Sequence, residues 1–350
     1  MNTNRIIMKG RNIILLLILL VLIAGLFFGW EVFGPVVHNP GKKFLYIRTG
    51  SSYQDVKDSL LKNKMISRDF WFDQVSKYAD YPEKVKAGKY KINNGMSLYH
   101  LVKMLRAGRQ VPVNLIITKL RTKEDLAKKI GTIFEIDSSS AINFLNNDQT
   151  LKEFGVDSNT VLTDVIPNTY TYHWNTTMAK IFEKLYDEHE KFWNETRRAK
   201  ASQLNLSPAQ VYILASIVEE ETNKQADKGK IASVYINRLK KGMRLAADPT
   251  VKFAMRDFEL KRIYHKHLEF ASAYNTYQNA GLPPGPICTP SIKTIDAVLA
   301  APQTDYLFFV ARPDFSGYSN FASDYQQHQL YARAYQKALD SLLQSKQDSQ

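Results

Sequence analysis

Cysteine is nearly absent from this chain of 350 residues, whose single thiol is that of Cys288. One cysteine excludes an intrachain disulfide and a zinc site built from several thiolates. The seven histidines show no HExxH or similar spacing, and the segment around His265 and His267 is typical of a polar surface. The sequence therefore predicts no metal ion and no other cofactor, and it predicts that Cys288 is a partly buried loop residue.

Acidic residues are scarce relative to basic ones, with 34 Asp and Glu against 47 Lys and Arg, which gives a formal net charge of +13. Nucleic acid, anionic lipid and an anionic polymer outside the cell are the three candidate partners for such a chain. Nucleic acid ranks last, because the sequence has no nucleic-acid motif and no basic run interleaved with aromatic residues. Hydrophobic residues make up 44% of the chain, which is enough to bury a core.

One long apolar run, IILLLILLVLIAGLFFGW, extends from Ile13 to Trp30 near the N-terminus. Its length lies within the range of about 17–25 residues that a membrane-spanning helix needs. The alternative is a cleaved signal peptide, whose apolar region would be about 7–15 residues long and would end in a small-x-small site. Bulky Phe27 and Phe28 stand there instead. We therefore favour an uncleaved transmembrane helix over residues 13–33.

The flanking charges predict how this helix is oriented. Arg5, Lys9 and Arg11 precede the run, and no acidic residue accompanies them. The positive-inside rule then places residues 1–12 in the cytoplasm and the rest of the chain outside, on the periplasmic or extracytoplasmic side. The predicted location is the cell (inner) membrane, crossed once.

A loose strand–helix repeat occupies residues 40–131. The segments FLYIRTG (44–50), AGKYKINNG (87–95) and VNLIITKLRT (113–122) each predict a short strand, and a helical pattern follows each of them. Units of this length and pattern resemble LysM-like modules, which bind glycans that contain N-acetylglucosamine. The alternative is a small α+β spacer without a ligand.

A well-marked helix is predicted within residues 206–223. Ser207 fits the N-cap, Pro208 fits the first helical position, and Gln210 completes a capping box. At 100° per residue, one apolar stripe of this helix is formed by Val211, Leu214, Ile217 and Val218. Glu221 falls inside that stripe, and the opposite side carries Tyr212, Ser216, Glu219 and Glu220.

The position of Glu221 bears on its chemistry. An ionised carboxylate that faces a core is costly, so it pairs with a cation or takes up a proton. A carboxyl group that stays protonated near neutral pH is what a general acid at a glycosidic oxygen requires. The alternative is that Glu221 turns to solvent or pairs with an arginine at the helix end.

Four segments together resemble the MltG/YceG family of endolytic murein transglycosylases: LASIVEEET (214–222), IASVYINRLKKGMRLAADPTV (231–251), YNTYQNAGLPPGPICTP (274–290) and YLFFVA (306–311). With the apolar run and the LysM-like region, the resemblance covers nearly the whole chain. It implies an α+β protein with an N-terminal transmembrane helix, LysM-like modules over 40–131 and a mixed α/β catalytic domain over 132–350. Two positions depart from the family pattern, since Ala246 replaces a frequent glutamine and Ser319 a frequent histidine.

The resemblance also implies an activity and its residues. Glu221, which precedes Thr222, would be the single catalytic acid and base, with Glu219 as the second choice. The implied enzyme is a lyase that cuts the bond between N-acetylmuramic acid and N-acetylglucosamine inside peptidoglycan strands and leaves a 1,6-anhydro end. It would remodel the wall or end nascent strands. The residues expected to bind sugar are Thr222, Tyr274, Asn275, Thr276 and Tyr277.

Two other functions compete with this one. A hydrolytic muramidase would need a second carboxylate, for which Asp248 is the candidate, although Asp248 and Pro249 also form a plausible helix start. A non-catalytic glycan-binding scaffold for wall synthases would bind strands without shortening them. The expected partners are peptidoglycan strands, the membrane and, by family resemblance, membrane-bound peptidoglycan synthases.

Overall fold

The structure is a computed structural model that describes residues 3–260 and 262–347. These residues fall into two compact units. Unit 1 takes in the described chain as far as Val113 together with Ile133–Glu135 and Thr171–Thr176, and unit 2 comprises the rest. The main division between the units falls after Val113, whereas the sequence predicted a boundary between residues 131 and 132. The glycan-binding and catalytic functions given to residues 40–131 and 132–350 remain predictions.

Unit 1 combines the N-terminal apolar helix with a small α+β module. Its elements are α1 (Thr3–Phe33), β1 (Phe44–Ile47), α2 (Tyr53–Lys62), α3 (Asp69–Tyr78), β2 (Gly88–Lys91) and α4 (Leu98–Ala107). Strands β1 and β2 pair antiparallel, with Phe44 opposite Lys91 and Ile47 opposite Gly88. The predicted strands are confirmed, but α3 was not predicted. It makes the first part of the module a strand–helix–helix–strand unit rather than two strand–helix repeats.

Local signals explain where these helices begin and end. Ser52 accepts a hydrogen bond from the Asp55 amide, and the Asp55 side chain accepts one from the Ser52 amide, which is a capping box at the start of α2. Gly108 ends α4 with φ 71°, a left-handed conformation that glycine adopts without steric cost. The helices then bury a core that includes Phe72, Tyr81 and Tyr90.

Unit 2 is mainly helical. The remaining elements are β3 (Val113–Ile116), α5 (Lys123–Ile133), α6 (Ser138–Leu145), α7 (Asp148–Leu151), β4 (Thr169–Tyr172), α8 (Met178–Phe192), α9 (Glu195–Gln203), α10 (Pro208–Glu221), α11 (Gln225–Lys240), α12 (Asp248–Met255), α13 (His265–Leu268), α14 (Ile292–Leu299), β5 (Phe308–Ala311), β6 (Ser319–Ala322) and α15 (Tyr325–Gln347). Two short 3-10 helices cover Lys152–Phe154 and Val161–Asp164. Among the described residues the strands form three two-stranded sheets, β1–β2, β3–β4 and β5–β6.

Helix α10 lies at the centre of the core of unit 2, where it packs against α11, α12 and α14. Its capping box of Ser207 and Gln210 is confirmed. Every residue from Val211 to Val218 is buried, so the predicted apolar stripe belongs to a helix that is covered on all sides. Tyr212 and Ser216 are buried with it because their hydroxyls donate to the carbonyls of Val165 and Ile213. Buried Cys288 packs nearby, 3.4 Å from the Ser216 carbonyl.

Helix α1 has the opposite environment. The described residues contain one helix long and apolar enough to cross a membrane, Arg11–Phe33. Its leucine and isoleucine side chains between Ile13 and Leu26 are more than half exposed. A helix that is apolar on all sides and uncovered by protein is typical of a membrane span. A signal sequence shares this length and composition, so the structure is consistent with a single-pass anchor, and the topology remains a prediction.

Candidate functional site

The last turn of α10 presents three consecutive glutamates, and the first of them is held by a cation and two hydroxyls. The Glu219 carboxylate lies 2.9 Å from Nζ of Lys228, which is itself buried. Ser291 and Thr294 donate hydrogen bonds to the same carboxylate oxygen. Burial by itself would raise the pKa of Glu219, but the hydrogen bonds from Thr294 and Lys228 hold it below its ordinary value. Glu219 is therefore an ionised structural group.

Glu220 is also paired with cations, at the surface of unit 2. Its carboxylate oxygens lie 2.6 Å from Nζ of Lys119 and 3.6 Å from Nη2 of Arg121. The two basic side chains are each more than a third exposed, so solvent screens this network. Glu220 is thus a second glutamate whose charge has a permanent counter-charge.

Glu221 differs from both neighbours because its close partner is a neutral hydroxyl. Tyr235, on α11, donates a hydrogen bond of 2.5 Å to Oε1 of Glu221. No ion pair joins Glu221 to any basic residue that the structure describes, so the arginine partner considered from the sequence is wrong. The side chain is only partly exposed, so it is not turned fully to solvent either. Burial raises the pKa of Glu221 to about 7, although the Tyr235 hydrogen bond opposes this rise. Asp248 raises the pKa further, and the charges of Arg238 and Lys252 lower it.

A cleft of about 360 Å³ opens beside Glu221 on the surface of unit 2, lined by Glu220, Glu221, Asp248, Pro249, Lys252, Arg262 and Ile263. A neighbouring hollow shares Glu220, Pro249 and Lys252 with it. A third hollow shares Arg121 and Phe253 with the second one, and Tyr274 lines it. The shared lining residues make these hollows one groove, whose cations suit an anionic chain.

The loop after α13 was predicted to contact sugar, and two of its residues are turned into the protein. Buried Asn275 donates from its amide nitrogen to the carbonyls of Leu268 and Phe270, at 2.9 Å each. Its amide oxygen accepts a hydrogen bond from the backbone of Tyr277. Thr276 is buried as well, and its hydroxyl accepts a hydrogen bond from the Ala247 amide. Direct sugar contact by these two residues stays a prediction, and their contacts favour a positioning role.

The other predicted sugar-binding residues lie nearer to the groove. The Tyr277 hydroxyl donates to Oδ1 of Asp248 at 2.6 Å, which links this loop to the cleft of Glu221. Tyr274 lines the third hollow and packs on Phe253, with 4.7 Å between ring centroids. Thr222 follows the last residue of α10 in an extended conformation, and its hydroxyl accepts a hydrogen bond from the backbone amide of Lys224.

Asp248 does not cap α12 as the sequence suggested. The capping position falls on Ala247, and Asp248 is the first helical residue, followed by Pro249 in the first turn. The Asp248 side chain accepts from Tyr277 rather than from a backbone amide of its own helix. This placement frees the carboxylate to line the cleft.

Sequence reasoning did not identify the contact of Tyr235 with Glu221. Tyr235 is fully buried beside Ile231 and Val234. A phenolic hydroxyl on such a face needs a hydrogen-bond partner, and that requirement is the signal that could have identified it. The partner itself is brought close by the packing of α10 against α11.

Comparison with known proteins places the chain in a family. Residues 45–334 match the model of the YceG-like family. The chain belongs to that family. A relative from Bacillus subtilis (strain 168), named endolytic murein transglycosylase, is 31% identical over 284 residues, which cover 76% of this chain and 78% of the relative. The family predicted from the four sequence segments is thereby confirmed.

Two further matches extend the comparison. A Streptococcus pneumoniae protein of the same name is 28% identical to this YceG-like chain over 343 residues, which cover 87% of the chain and 61% of that protein. The crystal structure of a yceG-like protein from Listeria monocytogenes superposes with a TM-score of 0.54 at 27% identity, covering 83% of this chain and 99% of that one. The mixed α/β fold expected of the family is confirmed.

The two departures from the family pattern have defined surroundings in this YceG-like chain. Ala246 has φ 49°, and its amide donates to the carbonyl of Thr276. The backbone amide of Ser319, in β6, donates to Oδ2 of Asp227 at 2.7 Å. Both contacts use backbone atoms and therefore do not depend on the side chain that the family usually has there.

Proposed function

We propose that this protein is an endolytic murein transglycosylase, a lyase that cuts peptidoglycan glycan strands internally between N-acetylmuramic acid and N-acetylglucosamine. The names of its relatives support peptidoglycan as the substrate. The observation that carries the proposal is the contrast at the end of α10. Among its three glutamates Glu221 alone forms no ion pair with a described residue, and its pKa is raised to about 7. A carboxyl group in that state can give up a proton and take it back at neutral pH.

In the proposed reaction Glu221 first acts as the acid. It protonates the bridging glycosidic oxygen, and the bond to C1 of the muramoyl residue breaks through an oxocarbenium-like or oxazolinium-like species that the substrate's acetamido group helps to form. Glu221, now ionised, takes the proton of the muramoyl C6 hydroxyl, whose oxygen attacks C1. The products are a free N-acetylglucosamine 4-hydroxyl and a 1,6-anhydromuramoyl end. One carboxylate suffices because no water is added.

The surroundings of Glu221 suit both halves of this cycle. The Tyr235 hydrogen bond fixes the carboxylate and stabilises its ionised form, whereas burial stabilises the protonated form. Thr222, Tyr274 and Tyr277 are the proposed sugar contacts along the groove. Asn275 is proposed to hold Tyr277 in place through a hydrogen bond within the loop, and Thr276 by its hydroxyl contacts with Thr250 of α12 and the Ala247 amide.

Hydrolysis by a muramidase is the second candidate, and one observation favours it. Asp248 lines the same cleft as Glu221 and supplies a second carboxylate. Its Oδ1 already accepts the Tyr277 hydroxyl, so this oxygen is occupied where an attacking water would need it. We therefore rank the lyase reaction first.

The rest of the molecule suits work at the membrane surface. We propose that α1 is an uncleaved anchor with residues 1–12 in the cytoplasm and the chain after Phe33 outside, in agreement with the basic residues that precede the apolar run. The LysM-like character of the module in unit 1, with binding of N-acetylglucosamine-containing glycan, belongs to the same proposal. Membrane-bound peptidoglycan synthases are the proposed protein partners, since an anchored enzyme can act on strands as they emerge.

Digestion of purified peptidoglycan strands by the full chain in detergent, followed by mass spectrometry, tests the proposal. Internal fragments with 1,6-anhydromuramoyl ends are expected. Reducing ends, which are heavier by one water, would identify a muramidase, and bound but uncut strands would identify a scaffold. Glu221→Gln is the test variant, and Glu183→Gln, the same exchange at an exposed position of α8, is its matched control.

A further inference from the structure

The first turn of α3 forms an aromatic edge against the anchor helix. Trp71 packs edge-on against two residues of α1, with ring centroids 6.1 Å from Phe27 and 5.4 Å from Phe28. Phe70 lies 5.0 Å from the Trp71 ring and exposes 57% of its surface. Trp71 is therefore partly buried between α1 and the core of unit 1, and Phe70 lies beside it with most of its ring in the open.

The depth of this edge follows from the sequence of α1. Phe27 and Phe28 belong to the apolar run, and they precede Glu31, the first charged residue after it, by about 6 and 4.5 Å along the helix axis. Side chains of a helix lean towards its N-terminus, which places both rings deeper still. The Arg68 guanidinium also lies 6.0 Å from the Phe27 ring centroid, so Trp71 and Arg68 share the level at which the apolar run ends.

Charged and amphipathic contacts mark the level above. Arg68 pairs with Glu31 at 3.0 Å, just before the start of α3. Tyr99 of α4 lies 5.5 Å from the ring of Phe33 in the last turn of α1. A hollow of about 460 Å³ in unit 1 adjoins Tyr99, and its basic lining residues are Lys84, Lys86, Lys103, Arg106 and Arg109. Aromatic and basic side chains that lie together where an apolar helix ends are typical of the interface between acyl chains and anionic headgroups.

We propose that the Phe70–Trp71 edge of α3 enters the membrane beside α1, with the basic hollow facing anionic lipid headgroups. The inference rests on the anchor proposed above, and its partner is an anionic lipid bilayer. Entry of Phe70 removes an exposed phenyl ring from water and covers the open faces of Phe27 and Phe28. Unit 1 would then contact the bilayer through two elements, so that it has a fixed orientation rather than swinging from a tether.

Spin labels in the full chain test this inference. The chain is reconstituted into vesicles of phosphatidylethanolamine and phosphatidylglycerol, and single cysteines replace Phe70, Leu20 in the middle of the apolar run, or Asp58 on the exposed face of α2. Native Cys288 is buried, and the unsubstituted chain measures its background labelling. Relaxation by dissolved oxygen, which enriches in lipid, is compared with relaxation by a water-soluble nickel chelate.

The expected result is a preference for oxygen at Leu20→Cys and Phe70→Cys and for nickel at Asp58→Cys. Removal of phosphatidylglycerol should reduce the oxygen preference at Phe70→Cys at least twofold and leave Leu20→Cys unchanged. A nickel preference at Phe70→Cys with oxygen preference at Leu20→Cys would overturn the inference and leave the anchor standing. A nickel preference at Leu20→Cys would overturn the anchor, while the strand-cleavage assay would still report the enzymatic activity separately.

Discussion

The three glutamates in the last turn of α10 have different partners. On one side, Glu219 forms an ion pair with Lys228, and Glu220 forms ion pairs with Lys119 and Arg121. On the other side, Glu221 meets the hydroxyl of Tyr235 in a cleft, and its pKa rises to about 7. The comparison teaches that the nature of the partner, and not burial alone, decides whether a helix-end carboxylate serves structure or proton transfer.

The largest effect that would test this comparison is on catalysis. Glu221→Gln should lower the rate of strand cleavage about 1,000-fold or more, because an amide keeps the shape of the side chain but cannot exchange a proton. The rate of formation of 1,6-anhydro ends measures it. Glu183→Gln, at an exposed position of α8 away from the groove, should retain full activity and change the unfolding free energy by less than about 0.5 kcal/mol. Activity of Glu221→Gln within tenfold of the unsubstituted chain would refute the assignment.

The next largest effect is on stability and concerns the ion pair between Glu219 and Lys228. Lys228→Met should lower the unfolding free energy by about 3 kcal/mol, because it leaves the largely buried charge of Glu219 without its cation. Urea unfolding followed by tryptophan fluorescence measures the loss. Lys240→Met, at an exposed position of the same helix α11, is the control and should change stability little. Equal stabilities of the two variants would mean that Glu219 does not need its ion pair.

The raised pKa of Glu221 should make the protein less stable as pH rises, whereas a carboxyl group with a lowered pKa, such as that of Glu219, has the opposite effect. A carboxyl group whose folded pKa lies above its unfolded value keeps its proton in the folded state, so stability falls as pH rises from about 4.5 through 7. The loss is on the order of 2 kcal/mol after allowance for partial exposure. Glu221→Gln should remove it, so that the variant is more stable than the unsubstituted chain at pH 8 and equal to it at pH 4. Parallel stability curves would contradict the raised pKa.

A smaller effect isolates Tyr235. Tyr235→Phe removes the hydrogen bond that lowers the pKa of Glu221, so that pKa should rise and the upper limb of the pH profile of kcat/KM should move to higher pH. The maximal rate should fall about tenfold, the order of one hydrogen bond to a charged group. Tyr277→Phe, which instead breaks the contact with Asp248, serves as the comparison. An unshifted upper limb in Tyr235→Phe would show that the limb reports another group.

Much of the local structure was predictable because its causes lie close together in the chain. The capping box at Ser207, the strands of unit 1 and the apolar run of α1 each follow from residues within one or two turns. Helix α3 was missed because its apolar residues are divided between the core and an exposed edge, as Phe72 and Phe70 show. Such a division weakens the periodic pattern on which prediction depends.

By itself, the sequence determined the family, the apolar N-terminal helix and the candidate glutamate, since motifs, composition and helical spacing are properties of the chain alone. Only the tertiary structure decided which of three adjacent carboxylates is free of a cation. Lys228 and Tyr235 lie on one helix, α11, yet they meet different glutamates of α10 because the two helices pack side by side. Partners brought together by packing set the pKa values, and sequence spacing does not specify that packing.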